Sequence, residues 1–301
     1  MPPMNFNLPK NALMTVDGLP FKRIAKGKVR ENFDLGDEML IVATDRISAF
    51  DVILPNGVPG KGVLLTQISL WWFKQAQNIM PIHLPENHDE RVREVLKDFP
   101  HLVDRSMIVK KLKPMPIEAI MRGYLAGSGW KEYKNTGKLF EFELPKNMLE
   151  SQKLPAPLFT PTTKAAEGHD MPITNGECRK LLGGEIFDQI KSAAEKLYAM
   201  GAKKASECGL ILADTKFEFG TDNSGKVYLI DEVLTPDSSR YWPMEGYAAG
   251  KPQPSFDKQY VRDWLETLDW NKQYPGPELP PEVIANTIKC YSTALEKLMG
   301  A

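Results

Sequence analysis

Apolar and polar positions come in short alternating runs near the N-terminus and at helical spacing farther along the chain. From Phe21 to Thr44, "FKRIAKGKVRENFDLGDEMLIVAT" holds three apolar-rich runs broken at Gly27 and at "LGDE", the pattern of an antiparallel meander. In "LLTQISLWWFKQAQNIM", Leu65, Ile68, Trp72, Gln75 and Ile79 fall on one helical stripe that Pro81 ends, and the pair Trp71 and Trp72 reads as core. "DERVREVLKDF" predicts a second helix, and "SMIVKKLKPMPIEAIMRGYLAG" predicts two strands flanking "KPMP", a connection between two lobes. The segment "ELPKNMLESQKLPAPLFTPTTKAAEGHDMPITNGE" is crowded with Pro, Thr and Gly and keeps no period, so it predicts a long loop, of the length that commonly carries function. A long helix follows, with Ile186, Ile190, Ala194 and Leu197 on one stripe and Gly209 at its end. Two more close the chain, around "SFDKQYVRDWLETL" and "PPEVIANTIKCYSTALEKLM", the latter with proline in its first turn. Antiparallel strands and segregated helices give an α+β protein of two lobes, divided as 1–113 and 114–301.

The runs "GLILADTKFEFG" and "VYLIDEVLTPDSSR", joined through "TDNSGK", read as a β-hairpin. Alternation puts Asp214, Lys216 and Glu218 on one face, which a solvated surface would also explain, and Ala213, Thr215, Phe217 and Phe219 on the other. With the turn near Asn223 and Ser224, Glu218 lies across from or diagonal to Asp231, inside the apolar "YLIDEV". Like charges placed so are destabilising, unless a divalent cation lies between them. Mg²⁺ suits, because it takes one or two carboxylates and completes its octahedron with water and phosphate oxygens. Asp237, Ser238 and Arg240 of "TPDSSR" follow close by. Without ligand, the two carboxylates should form a strained or water-filled pair.

Three other polar stretches each admit two readings. "KGKVRENF" is a tight turn with solvated cations, or Gly27 brings backbone N–H groups and a lysine to a phosphate. Asp45, Arg46, Ser48 and Asp51 of "ATDRISAFD" are a strand end with a helix cap, or the mouth of a cleft. Arg122 in "MRGYLAGSGW" leaves an ordinary strand, or joins the Gly and Ser turn in binding an anion.

Composition narrows the class. At 301 residues and 42% hydrophobic the chain can build a sizeable core, and Lys+Arg 38 against Asp+Glu 39 leaves a net charge of -1. No global field attracts nucleic acid or an anionic membrane. Cys178, Cys208 and Cys290 stand far apart without metal-ligand spacing, which argues against disulfides and structural zinc and fits a reducing cytoplasm. The N-terminal stretch has no basic segment followed by an apolar core, and no apolar run approaches the roughly 20 residues of a membrane span.

Taken in order, "GKVRENF", "ATDRISAFD", "PIEAIMRGYLAGSGW", "PLFTPTTKA", "LADTKFEFG" and "DEVLTPDSSR" closely resemble the SAICAR synthetase family, in its longer single-activity form. The resemblance runs from about Phe21 to Trp242. It implies a two-lobed fold related to ATP-grasp enzymes, with ATP between the lobes, and an ATP-dependent ligase of purine biosynthesis. That ligase joins L-aspartate to the carboxylate of carboxyaminoimidazole ribotide through an acyl phosphate. ATP and Mg²⁺ are the implied cofactors, the two small molecules the partners, with no nucleic acid or membrane, in a monomer or small homo-oligomer. Carried over by motif, Gly27, Lys28 and Arg30 approach the ATP phosphates, and Lys111, Leu112 and Met115 lie near adenine. Glu218 and Asp231 bind Mg²⁺, and Lys216 contacts phosphate or substrate; these three and Arg240 carry the chemistry. Arg122, Ser128, Asp237, Ser238 and Arg240 receive the ribotide, with Asp45, Ser48 and Asp214 also on the substrate side. Lys164 and Asp170 face the aspartate end, on a loop that covers the site during turnover. A small-molecule kinase would need the same nucleotide parts but no aspartate-dependent product, and a catalytically silent nucleotide-binding regulator is the third class.

Overall fold

The computed structural model describes residues 8–164 and 170–300. The predicted meander forms as β1 (Arg23–Lys26), β2 (Arg30–Leu35) and β3 (Glu38–Ala43). A short hairpin of β4 (Ser48–Ala49) and β5 (Val52–Ile53) leads into helix α1 (Lys61–Ala76). Helix α2 (His88–Val95) and a 3-10 segment (Pro100–Arg105) precede β6 (Ser106–Lys110), which completes an antiparallel sheet in the order β1-β2-β3-β6. Alternation gives this sheet two apolar faces. Phe33, Leu40, Val42 and Ile108 pack with Val92, Leu96 and Leu102, while Ile41, Met107 and Val109 meet Ile68, Trp72 and Phe73 of α1 in the main core. Helix α1 starts three residues before the expected run, and Phe73 and Ala76 rather than Gln75 complete its buried stripe. Buried Trp72 meets half-buried Trp71 edge to face.

The chain then crosses through β7 (Lys113–Pro114) to β8 (Ile117–Tyr124), α3 (Gly127–Thr136), and the small hairpin β9 (Lys138–Leu139) and β10 (Phe142–Glu143). The expected long loop contains β11 (Lys153–Phe159), β12 (Thr162–Thr163) and the start of α4 (Asn175–Leu182). Pro155 and Pro157 hid the strand, because proline cannot donate to a ladder. β11 lies at the end of the sheet's strand path and pairs with β8 only at Lys153 and at Leu158–Phe159, so the prolines fall where no ladder bond is needed. Part of the expected lid, residues 165–169, lies outside the described residues.

Helix α5 (Gly184–Glu207) leads to β13 (Leu210–Thr221), β14 (Val227–Ile230), β15 (Ser239–Pro243), α6 (Gln259–Glu266) and α7 (Pro281–Gly300). Twelve-residue β13 is the hub of the second sheet, pairing antiparallel with β8 and β15 along its first half and with β14 and β7 at its end. The α5 stripe of Ile190, Ala194, Leu197 and Tyr198 packs with Met121, Leu212 and Phe217 of the sheet. Tyr291, Leu295 and Leu298 of α7 join that core, and Ile47, Leu54 and Val58 cluster with Val261, Leu265 and Val283, so apolar packing crosses residue 113. Among the described residues no helix is long and apolar enough to cross a membrane.

Candidate active site

Strand β13 carries the site because of one irregularity. Leu210 and Leu212 lie in the core with α5, and simple alternation would bury Asp214 there too. The register against β15 shifts between Leu212 and Asp214. Such a bulge reverses the facing, and Asp214, Lys216 and Glu218 come to the opposite side, as the spacing predicted. Glu118 and Arg122 of β8 share that side, alternating with buried Ile117, Ala119 and Met121.

Glu218 stands opposite Ile230, which places Asp231 one residue beyond, where the chain leaves β14 at φ 66. Three cations meet the diagonal pair that was expected to stand strained or water-filled without ligand. The Lys164 ammonium donates to Glu218 Oε2, Lys216 Nζ lies 3.4 Å from Glu218 Oε1, and Arg30 Nη1 donates to Asp231 Oδ1 at 2.7 Å. Arg30 also holds Glu232, and Lys216 Nζ donates to Glu118 Oε1 at 2.5 Å. Thr162 Oγ1 completes this cluster with a 3.1 Å bond to Glu118 Oε2.

Electrostatics divide the pair. Burial, and then the charge of Asp231, push the Glu218 carboxyl above its ordinary value. Burial also works against Asp231, but Arg30, Lys216 and Lys164 outweigh it and hold that carboxyl below its usual range. Lys216 resists burial in the same way, kept charged by Glu218 and Glu118. Neighbouring His83 is neutral at physiological pH, since burial drives its imidazole down to about 3.

The donor set fits Mg²⁺, which accepts one or two hard carboxylate oxygens from protein. Glu218 and Asp231 would hold it. Among the described residues there is no group of three or more His, Cys, Asp or Glu arranged for a metal. The exposed Lys28 pairs with Asp51, and the Gly27 N–H donates to Arg30 O at 2.8 Å in the turn between β1 and β2. Arg46 fixes that turn by donating to the carbonyls of Gly27 and Lys28, each at 3.0 Å. Lys111 pairs with Asp34, while Leu112 and Met115 lie against Gly220 and Phe219 at the far end of β13, with no side-chain bond to the carboxylates.

Arginines dominate the other end of the face. Arg122 is 4% exposed; its Nε donates to Thr160 Oγ1 at 3.0 Å, its Nη2 to Ser128 Oγ at 3.2 Å, and its Nη1 lies 3.5 Å from Asp214 Oδ2. Arg240 Nη1 donates to the same carboxylate oxygen at 2.5 Å. Two guanidiniums on one carboxylate leave positive charge for an anion. Gly127 presses against the Arg240 guanidinium: it sits at φ +55, and a Cβ there would lie 2.4 Å from Arg240 Nη2. Asp214, Ser238, Ser239, Arg240, Lys258 and Arg262 line a cavity of about 80 Å³. It adjoins a cleft of about 410 Å³ that Gly127, Ser128, Lys131 and Gln259 help to form.

Two expected substrate contacts are tied into the framework, and of the two Asp237 also lines the small cavity at the arginine end. Asp45 is fully buried; its carboxylate accepts from Leu13 N at 2.8 Å and Gly62 N at 2.9 Å and pairs with Arg105 at 3.1 Å. Asp237 is committed to Lys61 at 2.9 Å and to the Tyr291 hydroxyl at 2.7 Å. Ser48 is half-buried opposite Ile53 on β5, Ser238 bonds back to Thr235, and Asp170 is exposed. The sequence reading missed Glu118, Glu232, Thr160 and Arg262.

The family model of SAICAR synthetase matches residues 23–277. Phosphoribosylaminoimidazole-succinocarboxamide synthases of Xanthomonas oryzae pv. oryzae (strain PXO99A) and Xylella fastidiosa (strain 9a5c) are each 49% identical, over 94% of this chain and 95% of theirs. The solved structure of the Saccharomyces cerevisiae SAICAR-synthase complexed with SAICAR matches at a TM-score of 0.85 and 40% identity, over 95% of this chain and 97% of that one. Pyrococcus horikoshii SAICAR synthetase shares the fold, with a TM-score of 0.63 at 24% identity over 90% of this chain and 98% of that one. The chain belongs to the SAICAR synthetase family, the carbon–nitrogen ligases that add aspartate in purine biosynthesis.

Proposed function

We propose that this ligase uses ATP and Mg²⁺ to activate the carboxylate of carboxyaminoimidazole ribotide as an acyl phosphate, which the amine of L-aspartate then attacks. The observation that carries the reading is that β13 bears two anion-handling groups on one face: Lys216 and Glu218 beside Asp231 and Arg30, and Asp214 beneath Arg122 and Arg240. The first group suits nucleotide phosphates and metal, the second the ribotide phosphate. The yeast relative's complex with SAICAR supports a phosphoribosyl ligand in this fold.

A carboxylate oxygen bonds to the γ-phosphorus as ADP leaves. The amine nitrogen then bonds to the acyl carbon, phosphate departs with that oxygen, and the nitrogen loses a proton. Mg²⁺, when bound, neutralises phosphate charge as it develops. Lys216 and Lys164 would turn from carboxylates toward phosphoryl oxygens, which is preorganised electrostatic stabilisation. Arg122, Ser128 and Arg240 hold the ribotide, Lys28 and Arg30 the nucleotide phosphates, and Lys111, Leu112 and Met115 the adenine side. The described cysteines are free thiols, which suits a reducing cytoplasm. The test is whether ADP release by the purified protein requires both the ribotide and L-aspartate and accompanies the succinocarboxamide product. Repeated turnover of ATP with the ribotide alone, giving a stable phosphorylated product, would assign a kinase, whereas a single equivalent of acyl phosphate would not.

A further inference from the structure

We infer that Asp237 is a positioning residue: held by Tyr291, Lys61 and Lys258, it sets the segment from Asp231 to Arg240 for the ribotide and makes helix α7 part of the site's support. The inference rests on the ligase reading. The Asp237 side chain is 3% exposed, and its two oxygens are shared among three elements. Oδ1 accepts from the Tyr291 hydroxyl of α7 at 2.7 Å. Oδ2 lies 2.9 Å from Lys61 Nζ at the start of α1 and 3.4 Å from Lys258 Nζ before α6. Lys61 and Tyr291 are almost wholly buried, on helices that pack into one core.

The segment they grip needs holding. Asp231 and Leu234 adopt φ 66 and 53, which non-glycine residues keep only when their surroundings over-determine them. From Asp237 the bonds run both ways. Its N–H donates to Thr235 Oγ1 at 3.2 Å, and Thr235 Oγ1 donates to Glu232 at 2.9 Å, the carboxylate that Arg30 also holds. In the other direction Ser238 O accepts from Lys216 N at 2.9 Å, and two residues on Arg240 reaches Asp214. One carboxylate thus braces the Arg30 end and the Arg240 end together. Asp237, Ser238, Arg240 and Lys258 also line the small cavity at the arginine end. Removing one partner of a buried ion pair is destabilising in itself, so the uncharged Tyr291 hydroxyl is the partner whose loss best separates a geometric role from folding.

The experiment compares Tyr291→Phe and Lys258→Gln with the wild-type protein, reading melting temperature, the KM of each substrate and direct ribotide binding by calorimetry. Phenylalanine keeps the packing of Tyr291 and loses only the bond to Asp237. Tyr291→Phe should weaken ribotide binding and raise its KM about tenfold, with the KM for ATP within about twofold, and Lys258→Gln should move the same way by less. Ribotide affinity within about twofold of wild type in both variants would overturn the inference, whatever the melting temperatures. If Tyr291→Phe does not fold, Lys61→Met, which removes a partner of Asp237 that lines neither cavity, decides in its place. Wild-type protein without aspartate-dependent ADP release would refute the ligase reading instead, while ribotide binding would still decide the role of Asp237.

Discussion

Glu218 is the residue on which burial and function pull apart. Its carboxyl is pushed above its ordinary value by burial and by Asp231. Its contribution to ligand-free stability is therefore full below the ordinary glutamate range and lost as pH rises through the elevated value. Glu218→Gln removes that titration. Melting temperature followed against pH should show a flatter profile just above the ordinary value of 4.5 and no loss at neutral pH, while turnover falls roughly a hundredfold or more. A clear drop in melting temperature at neutral pH would show that the bonds from Lys164 and Lys216 outweigh the burial cost and that Glu218 is structural. Arg240 makes a different case, since its fork is already aligned by Asp214. Arg240→Lys should raise the KM for the ribotide about tenfold while that for ATP changes little, because a planar donor becomes a point charge. Equal losses for both substrates would move Arg240 to the nucleotide.

At the scale of elements, the site depends on a bulge and a tight helix start. The turn into α3 brings Gly127 onto the Arg240 guanidinium. Gly127→Ala adds a Cβ where φ is +55 and where Arg240 already stands, so it should reproduce the ribotide KM defect of Arg240→Lys with unchanged circular dichroism. Normal ribotide kinetics in that variant would mean that Arg240 is free to move without consequence. These details also mark how far the sequence could be read. The N-terminal meander, the face shared by Asp214, Lys216 and Glu218, and the α5 stripe follow from periods of two and 3.6 residues, so they were legible. Glu118 was legible too, because the alternation that exposed the hairpin carboxylates applies to "PIEAIMRG" and puts Glu118 and Arg122 on one side. Strand β11 was hidden by its prolines, and Asp45 and Asp237 by their partners. A carboxylate buried against Arg105 or Tyr291 has the same local sequence as one that meets a substrate.

At the scale of the molecule, two antiparallel sheets meet through the connection at Lys111 and Leu112, and Arg30 of the first sheet bonds to Asp231 at the end of the second sheet's β14. Ligands binding there should tie the sheets together. ATP with Mg²⁺ at a hundredfold its Kd should stabilise the protein by about 2.7 kcal/mol, raising the melting temperature, and Asp231→Asn should abolish most of that shift. A full shift in the variant would place the metal elsewhere. The central claim is that this face activates a carboxylate with ATP so that an amine can displace phosphate. Its most direct test uses ribotide labelled with heavy oxygen in the carboxylate, under conditions where that group does not exchange with bicarbonate, followed by mass spectrometry of the released phosphate. The account predicts one labelled oxygen in inorganic phosphate for each amide formed, and unlabelled phosphate formed together with the amide would contradict it.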